Sequence, residues 1–314
     1  MDNIFEVTSI EELNEFIEQG GNIYELCSEE QNALFFENAQ KDVELFRALI
    51  DKGLNYKLRN EHEENIIYHI HYPHIVPVLA QLINFNDSHP LPEYLPVENY
   101  VNSPEIMKEL IHYGLGLENK DKLFNQTVVF ASDITDETAL LLIENNIKVC
   151  DKNIDGRTML FETESLLLTK YAIKKGLSVE EIDDYGNTAI MGNENDDIVK
   201  YLIQDGADIS HKNFENQNIL FTRENDLNML KFLVKSGVDI NVISNDGKNA
   251  LSNCSELEEA MFLINSGIEI IDSKSYKNED VKNYILGLSI SQEEKEILST
   301  KLVEVKMSHK NARI

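Results

Sequence analysis

The sequence predicts an all-α protein made of repeated helix pairs. A glycine or an asparagine recurs at intervals close to thirty residues, at Gly20, Gly53, Gly114, Asn146, Gly176, Gly206, Gly237 and Gly267. An apolar stretch with helical spacing comes before most of these positions, and a second, shorter apolar stretch lies between them. Repetition at this period is typical of chains that stack one small unit many times, so the pattern predicts a solenoid.

The longer helix of each pair is expected to end at the recurring glycine. In the C-terminal half the glycines are separated by 30, 31 and 30 residues. Ile198 and Leu202 come before Gly206 at a spacing of four, which places them on one helical face ready for burial. Glycine is the usual residue for the left-handed position that ends a helix. The apolar-polar alternation that follows, as in residues 207–209, predicts a short extended finger.

The shorter helix of each pair is expected to begin at a capping residue. Thr or Asn stands at the start of each short apolar stretch, at Asn32, Asn65, Thr127, Thr158, Thr188, Asn218 and Asn249. Both side chains can accept a hydrogen bond from a free amide of the first helical turn. Glycine turns come shortly before three of them, at Asp155-Gly156, Tyr185-Gly186 and Asp246-Gly247.

The order of these markers resembles an ankyrin repeat. The strings that carry the resemblance are Asp-Tyr-Gly-Asn-Thr-Ala-Ile at 184–190, Ile-Val-Lys-Tyr-Leu-Ile at 198–203 and Gly-Ala-Asp-Ile at 206–209. The resemblance is strongest from about residue 150 to 271. It implies an ankyrin-like helix-pair solenoid of about nine units over residues 1–277, with short finger hairpins or loops.

The chain departs from the family pattern in two ways. None of the copies has the proline or the histidine of the family's Thr-Pro-Leu-His string. The distance from cap to glycine is 21 residues between Asn32 and Gly53 but 18 between Thr158 and Gly176, a difference close to one helical turn. We expect the shorter units to have lost this turn from the inner helix, which would tighten the curvature of the stack.

Two segments are expected to differ from the repeat. Residues 70–105 contain a proline cluster, at positions 73, 77, 90, 92 and 96, and lack the recurring glycine, which indicates an irregular unit or an inserted loop. Residues 278–314 are expected to form C-terminal capping helices and a short basic tail. A capping-box pattern, Ser-Gln-Glu-Glu at 291–294, precedes an apolar helical pattern there, and the end of a stack needs such a cover.

The composition favours a cytoplasmic protein that binds another protein. Fifty-six acidic and 28 basic residues give a net charge of −28, which excludes direct nucleic-acid binding through phosphate neutralisation. Such acidity serves solubility, and it also suits a partner with a basic surface. No apolar stretch is long enough to span a membrane, and the three cysteines fit a reducing compartment. We expect no membrane association and a monomer in the absence of the partner.

Catalytic and metal-binding motifs are absent from the sequence. His62, His69, His71 and His74 lie near three glutamates, but they lack the His-Glu-x-x-His spacing of a helical zinc site. Cys254 is expected to pack in a helix rather than to act as a nucleophile. The sequence therefore predicts no enzyme, no cofactor and no metal site.

The ankyrin resemblance implies that a partner contacts the finger tips and the exposed side of the inner helices. The residues that match these positions are Asp184, Tyr185, Glu194, Asn195, Phe214, Glu215, Glu224, Asn245 and Asp246. Tyr185 and Phe214 are of most interest, because an exposed aromatic residue can anchor an interface. An alternative for Phe214 is that it packs back against its own hairpin.

Three functions fit these expectations. The first is an acidic inhibitor or immunity-type protein that blocks a basic partner such as a nuclease or toxin. The second is a microbial or viral host-directed ankyrin adaptor or effector. The high usage of Asn, Ile, Lys and Asp and the absence of Trp suit an AT-rich genome, which favours this alternative. The third is a DNA mimic, which would need carboxylates at phosphate-like intervals on one surface.

Overall fold

The computed structural model describes residues 3–86, 95–121, 123–131, 133–223, 226–254, 257–269 and 296–297. Within these ranges the protein is all-α, as the sequence predicts, and it contains no β-strand. The predicted C-terminal cap, residues 278–314, lies outside the described residues except for 296–297.

Short and long helices alternate along the chain. The short helices are Ile4–Glu6, Ala33–Phe35, Glu37–Gln40, Ile66–Tyr68, Pro96–Tyr100, Val128–Phe130, Met159–Phe161, Ala189–Gly192, Ile219–Thr222 and Ala250–Asn253. The long helices have nine residues each and are Ile10–Glu18, Val43–Asp51, Pro104–His112, Asp136–Glu144, Leu166–Lys174, Asp196–Gln204, Leu227–Lys235 and Leu257–Asn265. The described chain thus contains repeated pairs of one short and one long helix.

Residues 70–105 depart from this pattern, as their prolines suggest. Two abutting short helices, Pro73–Ile75 and Val76–Leu79, stand where the other pairs have a nine-residue helix. Pro73, Pro77 and Pro96 each occupy one of the first two helical positions. A proline is tolerated there because the amide of that position has no intrahelical partner.

Two compact units divide the chain. The first comprises residues 1–154 and 163–176, and the second comprises residues 155–162 and 177–314. In the first unit, helix Asp136–Glu144 contacts the long helices before and after it in the chain. In the second unit, helix Ile219–Thr222 contacts the short helices before and after it in the same way. Equivalent helices therefore pack on one another in chain order within each unit.

The recurring glycines end the long helices as predicted. All of them have positive φ, and Asn146 adopts the same left-handed conformation at φ 54°. The amide of the residue after the glycine then donates back into the last helical turn, as in Val238 N to Leu233 O at 3.1 Å. This is the hydrogen bond of a Schellman motif, which satisfies a carbonyl that the helix leaves free.

The missing turn lies between the two helices of a pair. The long helix keeps nine residues in both kinds of unit, while the 21-residue unit contains an additional helix, Glu37–Gln40, after Ala33–Phe35. In the shorter unit that begins at Thr158, the single helix Met159–Phe161 is followed directly by Leu166–Lys174. The difference in length thus falls between the start of the short helix and the start of the long helix.

The capping prediction is correct for asparagine and wrong for threonine. The Asn218 side-chain oxygen accepts from Leu220 N at 3.2 Å, and its amide donates to Asp239 O at 2.8 Å. Thr158 and Thr188 make no such bond, and their buried hydroxyls have no partner in the described structure. An asparagine side chain has an acceptor for the helix amide and a donor for the following loop, and Asn218 uses both.

Candidate protein-binding surface

The predicted finger tips of the second unit are tight five-residue turns, here called tip turns. Residues 183–187, 213–217 and 244–248 form three of them. Each is closed by a backbone bond between its first amide and its last carbonyl, at 3.0, 2.9 and 2.9 Å respectively. The fourth residue has positive φ in each turn and is a glycine or an asparagine, which suits that conformation.

A polar first residue holds each tip turn from inside. Asp183 accepts from the backbone amides of Tyr185 and Asn187, at 3.0 and 2.8 Å. Asn213 does the same in its own turn for Glu215 and Gln217, at 3.0 and 2.9 Å. The backbone of the turn is fixed by these bonds, and the second and third side chains are left to face outward.

Main-chain hydrogen bonds join each tip turn to the next. Phe214 N donates to Tyr185 O at 3.2 Å, and Asn245 N donates to Glu215 O at 2.9 Å. Neighbouring turns are thereby aligned by atoms that every residue type possesses. Side chains at the tips can therefore differ from turn to turn without loss of this alignment.

Two aromatic side chains stand exposed on these turns. Tyr185 is 61% exposed and Phe214 is 67% exposed. The Phe214 ring lies over Gly186 of the preceding turn, where a Cβ added at Gly186 would come within 2.7 Å of the ring. Phe214 thus contacts the neighbouring turn.

A groove lies between tip turns 183–187 and 213–217, and we call it the tip groove. Its volume is about 390 Å³. It is lined by Asp184, Tyr185, Asn187, Asn213, Phe214, Glu215, Gln217 and Thr222. Four of the residues predicted to contact a partner, at positions 184, 185, 214 and 215, are thus brought together around one concave surface.

Side-chain amides form the floor of the tip groove. Asn213 donates through its amide nitrogen to Asn187 Oδ1 at 2.9 Å and to Gln217 Oε1 at 3.2 Å. Asn187 in turn donates to the buried Asp183 carboxylate at 3.1 Å. This chain of hydrogen bonds fixes the side chains between the two turns, so the groove is preorganised.

The carboxylates in and near the tip groove differ in whether a nearby cation neutralises them. Asp246, on the third turn, pairs with Lys248 at 2.7 Å, and this contact lowers the pKa of its carboxyl. Asp184 and Glu215 line the groove, and neither has an ion-pair partner among the described residues. No described lysine or arginine lines the groove either, so its rim carries negative charge without a local cation.

The other predicted contact residues have more varied surroundings. Glu194 is exposed, and its backbone carbonyl accepts from Arg223 Nη2 at 3.0 Å. Asn195 is half-buried and caps helix Asp196–Gln204, since its side-chain oxygen accepts from the amides of the first turn. Asn245 is exposed and donates to Phe214 O at 3.1 Å. Glu224 lies outside the described residues.

Sequence reasoning missed the polar floor of the tip groove. Asn187, Asn213, Gln217 and Thr222 line it and were not among the predicted contact residues. The recurrence of a short polar residue at 153, 183, 213 and 244, at intervals of 30, 30 and 31, could have indicated the inner position of each turn. Nothing in the spacing indicates that two neighbouring turns enclose a groove.

The histidines of the first unit are used in structural hydrogen bonds. His69 Nε2 lies 3.0 Å from Glu64 Oε2, and burial lowers the pKa of the imidazole. His74 Nε2 lies 2.8 Å from the carbonyl of Gln40. No group of three potential metal ligands occurs in the described part of the chain.

Cys254 is buried beside a helix, as the sequence predicts. Its sulfur lies 3.7 Å from the Ala250 carbonyl, and burial raises the pKa of the thiol to about 12. A thiol with so high a pKa is almost entirely protonated near neutral pH, which makes it a poor nucleophile.

Comparisons with known proteins give no relative from which a function could be transferred. No model of a known protein family matches this chain, and a search of curated proteins also finds no match. No helix in the described ranges is both long enough and apolar enough to cross a membrane.

Proposed function

We propose that this protein is a non-catalytic binding module with an ankyrin-like repeat architecture, and that it binds a basic partner protein at the tip groove. The observation that carries the proposal is the pair of exposed aromatic residues, Tyr185 and Phe214, on the rim of a preorganised acidic groove. Exposed aromatic residues beside a concave surface are common anchors of protein interfaces.

The repeated helix pairs support the ankyrin-like part of the proposal. Successive pairs pack in chain order within each unit, and a left-handed residue ends the long helices. Tight turns join the pairs, and main-chain bonds link neighbouring turns in the second unit. A stack of this kind leaves the side chains of its turns available for contact, because the packing of helices between neighbouring repeats does not bury them.

The charge supports a basic partner. A net charge of −28 attracts a basic protein over a long range and accelerates their encounter. The carboxylates of Asp184 and Glu215 add a local attraction, since neither is neutralised by a described side chain. We propose that the bound protein is inhibited, in the manner of an immunity protein that covers a nuclease or toxin. The three free cysteines are consistent with a cytoplasmic location for this inhibitor.

A capture experiment with matched variants tests the proposal. The tagged full chain, the Tyr185→Ala/Phe214→Ala variant and a Tyr113→Ala control are each incubated with native lysate at low and high salt. Tyr113 is a suitable control because it is 41% exposed and lies at the end of a helix in the first unit. We expect the wild type and the control to retain one basic protein in stoichiometric amount, with less retained at high salt.

The captured protein is then purified and titrated against each variant by calorimetry. Loss of two anchors is expected to weaken binding by at least about 30-fold, since an anchor residue typically contributes about 2 kcal/mol or more. The control is expected to bind like the wild type. Equal binding by the double variant would remove the tip groove from the interface, and an acidic, salt-insensitive partner would contradict the electrostatic part of the proposal.

A further inference from the structure

The tip groove combines two features that together select a particular side chain. Its rim carries aromatic rings at Tyr185 and Phe214, and the same lining holds the carboxylates of Asp184 and Glu215. We propose that the groove binds an arginine side chain of the partner protein, an inference that rests on the proposed function and names the chemistry of its ligand.

The aromatic residues provide the faces against which a planar cation stacks. Both side chains are more than half exposed, so a ligand can reach each ring. Phe214 is held in place from below by its contact with Gly186. His211 contacts Gly186 in turn, since its Nε2 lies 2.8 Å from the Gly186 carbonyl. A cation above an aromatic ring is attracted by the negative face of the ring.

The carboxylates provide charge and hydrogen-bond acceptors. Asp184 lies on the first tip turn and Glu215 on the second, so a ligand between the turns meets one acidic group from each. Two other exposed carboxylates of the second unit, Asp246 and Asp197, have nearby cations in Lys248 and Lys200. Asp184 and Glu215 have no ion-pair partner among the described residues, so a cationic ligand in the groove would neutralise their charge.

Arginine fits this arrangement better than lysine. The guanidinium group is planar, stacks on aromatic rings and donates two parallel hydrogen bonds to a carboxylate. An ammonium group is compact and strongly hydrated, and it gains less from an aromatic face. The volume of about 390 Å³ lies within the range of small-molecule binding sites.

Peptide binding to the full chain tests the inference directly. The probes are three blocked tripeptides, acetyl-Gly-X-Gly-amide, in which X is arginine, lysine or citrulline. Binding is followed by NMR of protein with isotopically labelled tyrosine and phenylalanine. We expect the arginine peptide to shift the signals of Tyr185 and Phe214, to bind at least about fivefold more tightly than the lysine peptide, and to exceed the uncharged citrulline peptide by more.

Two sets of variants assign the site. Asp184→Asn/Glu215→Gln and, separately, Tyr185→Ala/Phe214→Ala are expected to lower arginine affinity at least about tenfold. Glu15→Gln/Glu18→Gln removes the same charge from an exposed helix of the first unit and is expected to bind like the wild type. Equal affinity for arginine and lysine, or equal weakening by the control, would show nonspecific attraction to acidic surface and overturn the inference.

The outcomes separate this inference from the proposed function. If groove variants lose the captured protein while the arginine peptide shifts no groove signal, the binding module stands and the arginine site falls. If the arginine peptide binds in the groove while the Tyr185→Ala/Phe214→Ala variant captures its partner normally, the arginine site stands and the proposed interface falls.

Discussion

At the scale of single residues, asparagine and threonine at equivalent capping positions contribute differently to the stability of the protein. Asn218 uses both ends of its side-chain amide, one for the helix and one for the following loop. Thr188 occupies the equivalent position with a buried hydroxyl that has no partner in the described structure. A buried polar group without a hydrogen bond costs stability.

Substitution at these two positions should therefore have opposite effects. Thr188→Val keeps the shape and removes the unsatisfied hydroxyl, so the free energy of unfolding should stay equal or rise by up to about 1 kcal/mol. Asn218→Ala removes a cap and leaves the Asp239 carbonyl without its donor, at a cost of about 2 kcal/mol. Urea denaturation followed by circular dichroism measures both. A similar loss in both variants would show that the Thr188 hydroxyl is bonded.

Glu98 is a second residue whose surroundings change its chemical properties, in this case the pKa of its carboxyl. It lines a cavity of about 290 Å³ in the first unit, together with Val101 and Phe130. Burial raises the pKa of its carboxyl from 4.5 to about 7, and the nearby Asp121 carboxylate adds to this shift. Asp121 itself accepts a backbone bond from Gln126 at 2.7 Å, so its charge is fixed close by.

The pKa of Glu98 predicts a pH dependence of stability. Between pH 4.5 and about 7 the folded protein holds a proton that the unfolded chain releases. The contribution of Glu98 to stability is therefore greatest below pH 4.5 and is lost as the pH rises to about 7. Glu98→Gln should stabilise the protein at about pH 8 relative to the wild type, with a smaller difference at about pH 5. Thermal unfolding at both pH values checks this, with Glu25→Gln at an exposed position of the first unit as control. A difference between wild type and Glu98→Gln that is equal at both pH values would contradict the prediction.

At the scale of the helix, the left-handed residue at the end of each long helix is the feature that local sequence determines most fully. Gly237 has φ 95°, and a Cβ added there would have no atom within 4 Å. This position therefore favours glycine because of its backbone angle and not because neighbouring atoms would collide with a side chain. Asn146 holds the corresponding place at φ 54°, which shows that asparagine is accepted there.

Variants of Gly237 should rank by how readily they adopt positive φ. Gly237→Ala is expected to cost about 1 kcal/mol, and Gly237→Val more, because a β-branched side chain disfavours this region further. Gly237→Asn is expected to cost less than either, since asparagine visits the left-handed region more readily. The midpoints of urea denaturation give the order. Equal costs for all three would contradict a conformational origin.

Helix ends were predictable because they depend on nearby residues, whereas the tip groove was not. A glycine after an apolar helix and a glycine in a turn each act through their own backbone angles. The exposure of Tyr185 and Phe214 followed from their place in the turn. The groove between them depends on hydrogen bonds that cross from Asn213 to Asn187, and no local rule gives the distance between residues of different turns.

At the scale of the whole molecule, the dominant property is the excess of acidic residues. Twenty-eight more carboxylates than cations repel one another in the folded chain. Local ion pairs neutralise some of them, such as Asp151 between Lys120 and Lys148. The composition gives the size of this charge, but only the structure distinguishes the paired carboxylates from those of Asp184 and Glu215.

Salt should therefore stabilise the protein. Raising NaCl from about 20 mM to about 500 mM shortens the screening distance from about 20 Å to about 4 Å, which weakens repulsion between exposed carboxylates. We expect the thermal midpoint to rise by roughly 5 °C. A variant with lysine at Glu15, Glu18, Glu25 and Glu29 has a net charge of −28 + 8 = −20 and should respond less. A midpoint that falls with salt in the wild type would mean that its ion pairs outweigh the repulsion.

The main-chain bonds between tip turns make the outward positions exchangeable. Residues 184–185 and 214–215 stand in turns of the same length, closed by equivalent bonds. A dipeptide moved from one turn to the other therefore changes what is presented to a partner while the register of the turns is kept. Recognition can diversify through a few substitutions at fixed places, and the same places offer a route to redirect the protein toward a chosen ligand.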